Sequence, residues 1–155
     1  MSGTGPDVTT SHPRIEVTVS ENQSSPEIEV RIAARPDHLS VLRAVAADLA
    51  MRADFDLDAI SDLKMAVDEA CATLISRANS PEDQLVCGFA VEADQIHFTA
   101  HAPTSSPAAP SRESFGWRVL SSLTDSANTW VAPGDDGVPV LRVDLVKKRL
   151  GSVGQ

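Results

Sequence analysis

Between positions 58 and 78 the apolar residues Ile60, Leu63, Val67, Ala70 and Leu74 recur at steps of three and four, and this stripe constrains the fold most strongly. Such spacing lines one side of an α-helix, which must then be buried against another layer. Ser80-Pro81 ends the helix, because the residue before a proline is pushed out of helical angles. Beyond it the period changes to two. Leu85, Cys87, Phe89 and Val91 alternate with their neighbours, and after a turn at 92–94 Ile96, Phe98 and Ala100 do so again. The pattern predicts two adjacent strands over 85–93 and 95–101. A one-sided helix followed at once by alternating strands points to a layer of helices laid on a sheet.

The flanking segments extend that plan. Ile28, Val30 and Ile32 share one face of a strand over 27–33, with Glu29 and Arg31 on the other. Pro36 opens a helix with apolar face Leu39, Leu42, Ala46 and Leu49, and Asp37 adds charge that suits its N-terminal end. Residues 14–19 alternate and read either as a first strand or as an extended part of a flexible N-terminal arm over 1–26. The folded domain is expected over 27–149. Residues 102–114, APTSSPAAPSRES, carry three prolines and no apolar anchor, which predicts a mobile loop. A short helix follows over 115–123, with Trp117, Leu120 and Leu123 available for burial. Strands over 129–132 and 138–146 then form a hairpin, joined by PGDDG, where Asp-Gly supplies the positive φ of a tight turn. The order predicts an α+β fold, a two-layer α/β sandwich with helices on one face of a mixed, largely antiparallel sheet.

Charge excludes some functions. With 13 basic residues against 22 acidic ones, the net charge of −9 repels nucleic acid and anionic membrane surfaces. Lys147, Lys148 and Arg149 make the only basic run. No apolar run approaches the roughly 18 residues of a membrane span, and residues 1–13 have no secretory pattern, so a cytoplasmic protein is expected. Cys71 and Cys87 lack metal or redox spacing and read as reduced, buried thiols. His97 and His101 would share a strand face without a matching ligand nearby, so no metal site is expected. Residues 52–69 hold six acids and two bases, a local charge of −4 that suits a basic protein surface.

Glu69 lies four residues before Thr73, so both leave one face of the long helix. A carboxylate and a hydroxyl there suit a magnesium-bound nucleotide or the activation of a substrate hydroxyl. The same spacing also suits a threonine hydroxyl bonded to the backbone carbonyl one turn back. Gly116 marks the change from loop to helix, where free amides attract phosphate.

Two segments carry a resemblance. DLKMAVDEACATLISR (62–77) resembles the N-box helix of the GHKL ATPase superfamily, and SFGWRVLSSLTDS (114–126) resembles its second glycine box and following helix, with an acid at Asp125. The order of elements over 28–149 is similar to the anti-sigma factor kinases of that superfamily, of the short actinobacterial type. The resemblance implies a GHKL/HATPase-like fold. Glu69 matches the family's general base, Thr73 stands where the magnesium-binding Asn is found, and Gly116 matches the second glycine box. No D-x-G-x-G box follows the strand ending at His101, so the acid that reads adenine is missing. Glu69 is thus expected as a vestigial base and Thr73 and Gly116 as weak cofactor contacts. ATP and magnesium would bind weakly at most, and serine kinase activity would be weak or absent. The implied function is an anti-sigma factor in stress-related transcription control. It would sequester an alternative sigma factor as a homodimer, around residues 37–50, and an anti-anti-sigma protein of STAS fold would release the sigma factor. Two alternatives stay open: an active ATP-dependent serine kinase acting on the anti-anti-sigma protein, and a non-catalytic interaction domain of another pathway.

Overall fold

The computed structural model describes residues 15–19 and 27–149. Among these residues six strands, β1 (Glu16–Val19), β2 (Ile28–Ala33), β3 (Gln84–Val91), β4 (Gln95–Pro103), β5 (Ser126–Pro133) and β6 (Pro139–Lys148), form one sheet in the order β1-β2-β3-β4-β6-β5. Among the described residues every pairing is antiparallel, at the antiparallel end of the mixed, largely antiparallel sheet expected. Three helices, α1 (Leu39–Arg52), α2 (Leu57–Ser76) and α3 (Phe115–Leu123), complete the α+β sandwich. Within the expected 1–26 arm, Glu16–Val19 pairs with β2 as an edge strand. The rest of that segment lies outside the described residues.

The core lies between α1, α2 and one face of the sheet. Leu63, Val67, Ala70 and Leu74 of α2 and Leu42, Ala46 and Leu49 of α1 meet Val30, Ile32, Leu85, Phe89, Ile96, Phe98 and Leu145. Phe89 and Phe98 stand opposite each other on β3 and β4, with tilted rings 4.9 Å apart between centroids. Burying each such side chain is worth about 1.5–3 kcal/mol, and this burial, more than helix propensity, keeps the long stripe helical. Cys71 and Cys87 are buried in the same core with sulfurs 3.8 Å apart. The hydrogen bond to Cys87 and burial raise the Cys71 thiol well above its ordinary range.

Local chemistry sets the elements' ends. Asp56 caps α2 by accepting from the Ala59 amide at 2.8 Å, which satisfies an amide that a helix start leaves unpaired. Asp54 takes the left-handed conformation (φ 64°) that reverses the chain between α1 and α2, a conformation Asp tolerates better than most residues. Arg43 of α1 pairs with Asp68 of α2. Lys147 of β6 donates to Asp62 Oδ2 at 3.2 Å and to the Leu123 carbonyl at 2.9 Å. Two acids of the 52–69 segment are therefore neutralised by neighbours, which weakens the expected acidic field and concentrates it around Asp54, Asp56 and Asp58.

The segment expected as an unanchored loop is held at its start. β4 runs on to Pro103, Ala102 is fully buried, and Thr104 is buried with its hydroxyl donating to the Arg77 carbonyl at 3.1 Å. The proline content concealed an anchor made of two small residues. Gly137 has φ 83° in the β5–β6 turn, as Asp-Gly implies, and Asp136 accepts from the Val138 amide there.

Candidate functional site

Glu69, Thr73 and Arg77 rise one turn apart along one side of α2, and α3 crosses in front of them. Ser114 starts α3 by accepting from the Trp117 amide at 3.2 Å, so a side chain already satisfies the first turn. Gly116 comes next. A β-carbon on it would stand 2.5 Å from Glu69 Oε2 and 3.9 Å from Thr73 Oγ1. The missing side chain is what lets the first turn of α3 close over the carboxylate. The structure thus brings together all three residues singled out from sequence: Glu69, Thr73 and Gly116.

Each of them has a local reason to sit there. The Thr73 hydroxyl donates to the Glu69 carbonyl at 3.1 Å, the backbone bond that the four-residue spacing allows. Its proton is therefore committed to the helix, and only its oxygen lone pairs face outward. Glu69 is half-buried, and among the described residues no hydrogen bond fixes its carboxylate. The carboxylate places negative charge at the positive end of the α3 dipole, a favourable arrangement. It also occupies the place where an anionic ligand would meet that end.

Around these residues lies a cavity of about 220 Å³, closed by Pro110, Ser114, Trp117 and Leu120 and floored by Thr129 and Val143. The 104–114 segment forms its outer wall. Arg77 Nη1 donates to the Ala108 carbonyl at 2.9 Å, and the Arg112 guanidinium lies 4.7 Å from the centre of the Trp117 ring. Sequence reasoning missed Arg77 and the Arg112–Trp117 stack. Arg77 was within reach, because it continues the Glu69–Thr73 spacing by one more turn. Thr129 and Val143 were not, since they arrive from strands far along the chain.

Magnesium nucleoside triphosphate does not fit this donor set. Cavities that hold drug-sized ligands measure about 300–1,000 Å³, and this one is smaller. Among the described residues Glu69 is the only carboxylate in its lining, so none of them is left to read an adenine amino group. Thr73 offers one hydroxyl oxygen where a magnesium site favours an amide or carboxylate oxygen.

Other titratable residues lie elsewhere. His97 and His101 share the sheet face remote from the helices, and His97 Nε2 meets Asp144 Oδ1 of β6 at 3.4 Å. Asp125 accepts from the Lys148 amide at 2.7 Å and closes the start of β5 onto β6. Neither group approaches Glu69.

A helix pair and a short third helix thus lie on one face of an antiparallel sheet, with a glutamate under a glycine-marked helix start. The profile of the histidine kinase-like ATPase domain matches residues 32–130, and this chain belongs to that family. It is 33% identical over 103 residues to the anti-sigma-F factor RsbW of Mycobacterium tuberculosis, covering 66% of this chain and 61% of that one. It is 29% identical over 97 residues to the serine-protein kinase RsbW of Bacillus subtilis, covering 54% of this chain and 61% of that one. The chain thus spans about three-fifths of the length of these relatives. No helix among the described residues is long and apolar enough to cross a membrane.

Proposed function

We propose that this chain is an anti-sigma factor, one that binds an alternative sigma factor and withholds it from RNA polymerase in the cytoplasm. An anti-anti-sigma protein of STAS fold would compete for the chain and free the sigma factor. The observation that carries this reading is the pairing of the family's frame with a small site that is poor in ligand oxygens. Glu69 and Gly116 keep their places, yet the cavity between them is small and lacks the oxygens a magnesium nucleotide needs. A frame kept without its cofactor chemistry suits binding. The relative named an anti-sigma factor supports the same reading.

The docking surface follows from charge. Asp54, Asp56 and Asp58 cluster at the tip of the α1–α2 hairpin beside exposed Met51 and Leu57. An apolar spot rimmed by acids suits a basic, amphipathic segment of a partner and speeds its approach. Self-association as a homodimer belongs to the same reading.

A second reading has its own support. The Glu69 carboxylate faces the cavity unbonded, and a relative is named a serine-protein kinase. In that case Glu69 would take the proton from a serine hydroxyl of the anti-anti-sigma protein as the phosphoryl group moves. Positioning and charge neutralisation supply most of the rate of such transfers, and the lining offers little of either.

Gel filtration of the chain mixed with each alternative sigma factor of its source, without nucleotide, tests the proposal. One stable complex, dissociated by the STAS protein, is expected. Failure of every sigma factor to bind would reject it.

A further inference from the structure

Among the described residues Glu69 and Arg77 are the two charged groups in the lining of the cavity on α2. Glu69 lies within α2 and Arg77 at its C-cap, about 12 Å apart along the helix axis. Both are half-buried, and no ion pair joins them to each other or to another described side chain. Most charged side chains with such exposure find a partner nearby. These two share one small cavity and stand too far apart to meet.

Arg77 is also held in place. Its carbonyl accepts from the Thr104 hydroxyl at 3.1 Å and from the Ser105 amide at 3.4 Å, and its Nη1 donates to the Ala108 carbonyl at 2.9 Å. One N–H of the guanidinium is thereby used, and the others keep their capacity to donate. The hydroxyls of the lining favour a donor in return. Thr73 and Thr129 donate to the carbonyls of Glu69 and Arg142 at 3.1 and 3.0 Å, so each oxygen offers the cavity lone pairs only. Ala70, Pro110, Trp117, Leu120 and Val143 make the rest of the wall largely apolar.

A ligand of either net charge satisfies one of the two ions and leaves the other without a partner in a half-enclosed space, which is costly. A ligand that carries both charges at its two ends satisfies both. We propose that this cavity takes a small linear zwitterion, an ω-amino acid whose ammonium meets Glu69 and Thr73 and whose carboxylate meets Arg77. Its methylene chain would lie along Trp117 and Leu120. The start of α3 also attracts Glu69, yet it supplies only a partial charge. Arg112, held against Trp117, adds a cation nearby and favours a ligand that brings its own carboxylate. The volume of about 220 Å³ suits a molecule below drug size. One carboxylate, one guanidinium and little space thus disfavour a magnesium nucleotide and suit this ligand for the same reasons.

The proposal goes beyond the anti-sigma reading and does not rest on it, so its failure leaves that reading untouched. Titration calorimetry on the full chain, without nucleotide, would compare 6-aminohexanoate with hexanoate and hexylamine, which share its carbon chain and lack one charge each. The zwitterion is expected to bind about tenfold or more tightly than either, since each charged hydrogen bond carries about that much. Glycine, whose two charges stand too close together to reach both residues, should bind no better than hexanoate or hexylamine. Glu69→Gln should bring 6-aminohexanoate down to the level of hexanoate, and Arg77→Gln to that of hexylamine. Thermal melting would check that both variants are folded. If Arg77→Gln fails to fold, because the strap loses its anchor, the wild-type comparison with hexylamine reads the same contact. Absence of binding by 6-aminohexanoate, equal binding of the three compounds, or binding that Glu69→Gln leaves unchanged would overturn the proposal.

Discussion

Glu69 Oε2 lies 2.5 Å from where a β-carbon on Gly116 would stand. The two residues are 47 positions apart (116 minus 69), and their approach ties the start of α3 to the middle of α2. The obstructing atom is the end of a flexible side chain, so an added methyl should displace the carboxylate without breaking the fold. Alanine is also the better helix former, by about 1 kcal/mol. Gly116→Ala is therefore expected to keep stability within about 1 kcal/mol of the wild type, as read from urea midpoints. A loss well above that would mean the Glu69 carboxylate cannot move.

Two ion pairs that look alike by distance should differ in worth. In the Arg43–Asp68 pair both side chains are about two-fifths exposed, the class worth at most about 1 kcal/mol. The Lys147 side chain is only 15% exposed, and it serves both Asp62 and the last carbonyl of α3. Lys147→Met should cost about 1–3 kcal/mol, since it strands a helix-end acceptor as well as a carboxylate. Arg43→Met should cost less than about 1 kcal/mol. Urea denaturation of the two variants would check the order, and a larger loss for Arg43→Met would contradict it.

His101 provides a pH dependence with a definite sign. Burial first, and then the guanidiniums of Arg142 and Arg31, hold its imidazole below the ordinary value of 6.5, with Glu29 opposing. Below that value the unfolded chain binds a proton that the folded chain resists, so stability falls as pH drops. The contribution is fully present above about 6.5 and is lost progressively below it. Melting temperature should decline between about pH 7 and pH 5, and His101→Gln should flatten part of the decline. An unchanged slope in that variant would assign the effect to other groups.

The thiols offer a test of the core. Cys71 and Cys87 have no exposed surface, and the Cys71 thiol is shifted away from the reactive thiolate form. A thiol-specific reagent should label neither cysteine in the folded protein and both in denaturant. Rapid labelling under native conditions would show that α2 separates from β3 far more readily than this packing implies.

Much of this architecture was legible because the residues that carry it repeat. The stripe from Ile60 to Leu74 and the alternation from Leu85 to Ala100 set α2, β3 and β4, and their counterparts set α1 and β2. Ser126 to Asn128 escaped notice because Ser126 and Asn128 are polar and Ala127 is small, and they join β5 through register with Asp144, Leu145 and Val146. Ala102 and Thr104 were hidden among prolines, although burial and one hydroxyl bond anchor the segment there. At the site, the Glu69–Thr73 face followed from helical spacing alone. Its closure by Gly116 rested on the family resemblance, since no local period links α2 to α3. The cavity's size depends on side chains from α3, β5 and β6, which no stretch of sequence displays together.

Phosphotransfer should be absent or vestigial. With magnesium ATP and the cognate STAS protein, wild type and Glu69→Ala are expected to incorporate equally little phosphate. Strong wild-type labelling that Glu69→Ala abolishes would favour the kinase reading.

The central claim is that the folded chain acts by binding, without nucleotide. Its most direct test is transcription from a promoter served by the cognate alternative sigma factor, with purified RNA polymerase, the sigma factor and increasing amounts of this chain. Magnesium would be present for the polymerase. The chain would be incubated with the sigma factor beforehand in the absence of ATP. The account predicts that this incubation suppresses initiation as the chain reaches the sigma factor's concentration, and that Glu69→Ala suppresses it equally. Suppression that requires ATP during the incubation, or that Glu69→Ala loses, would contradict it.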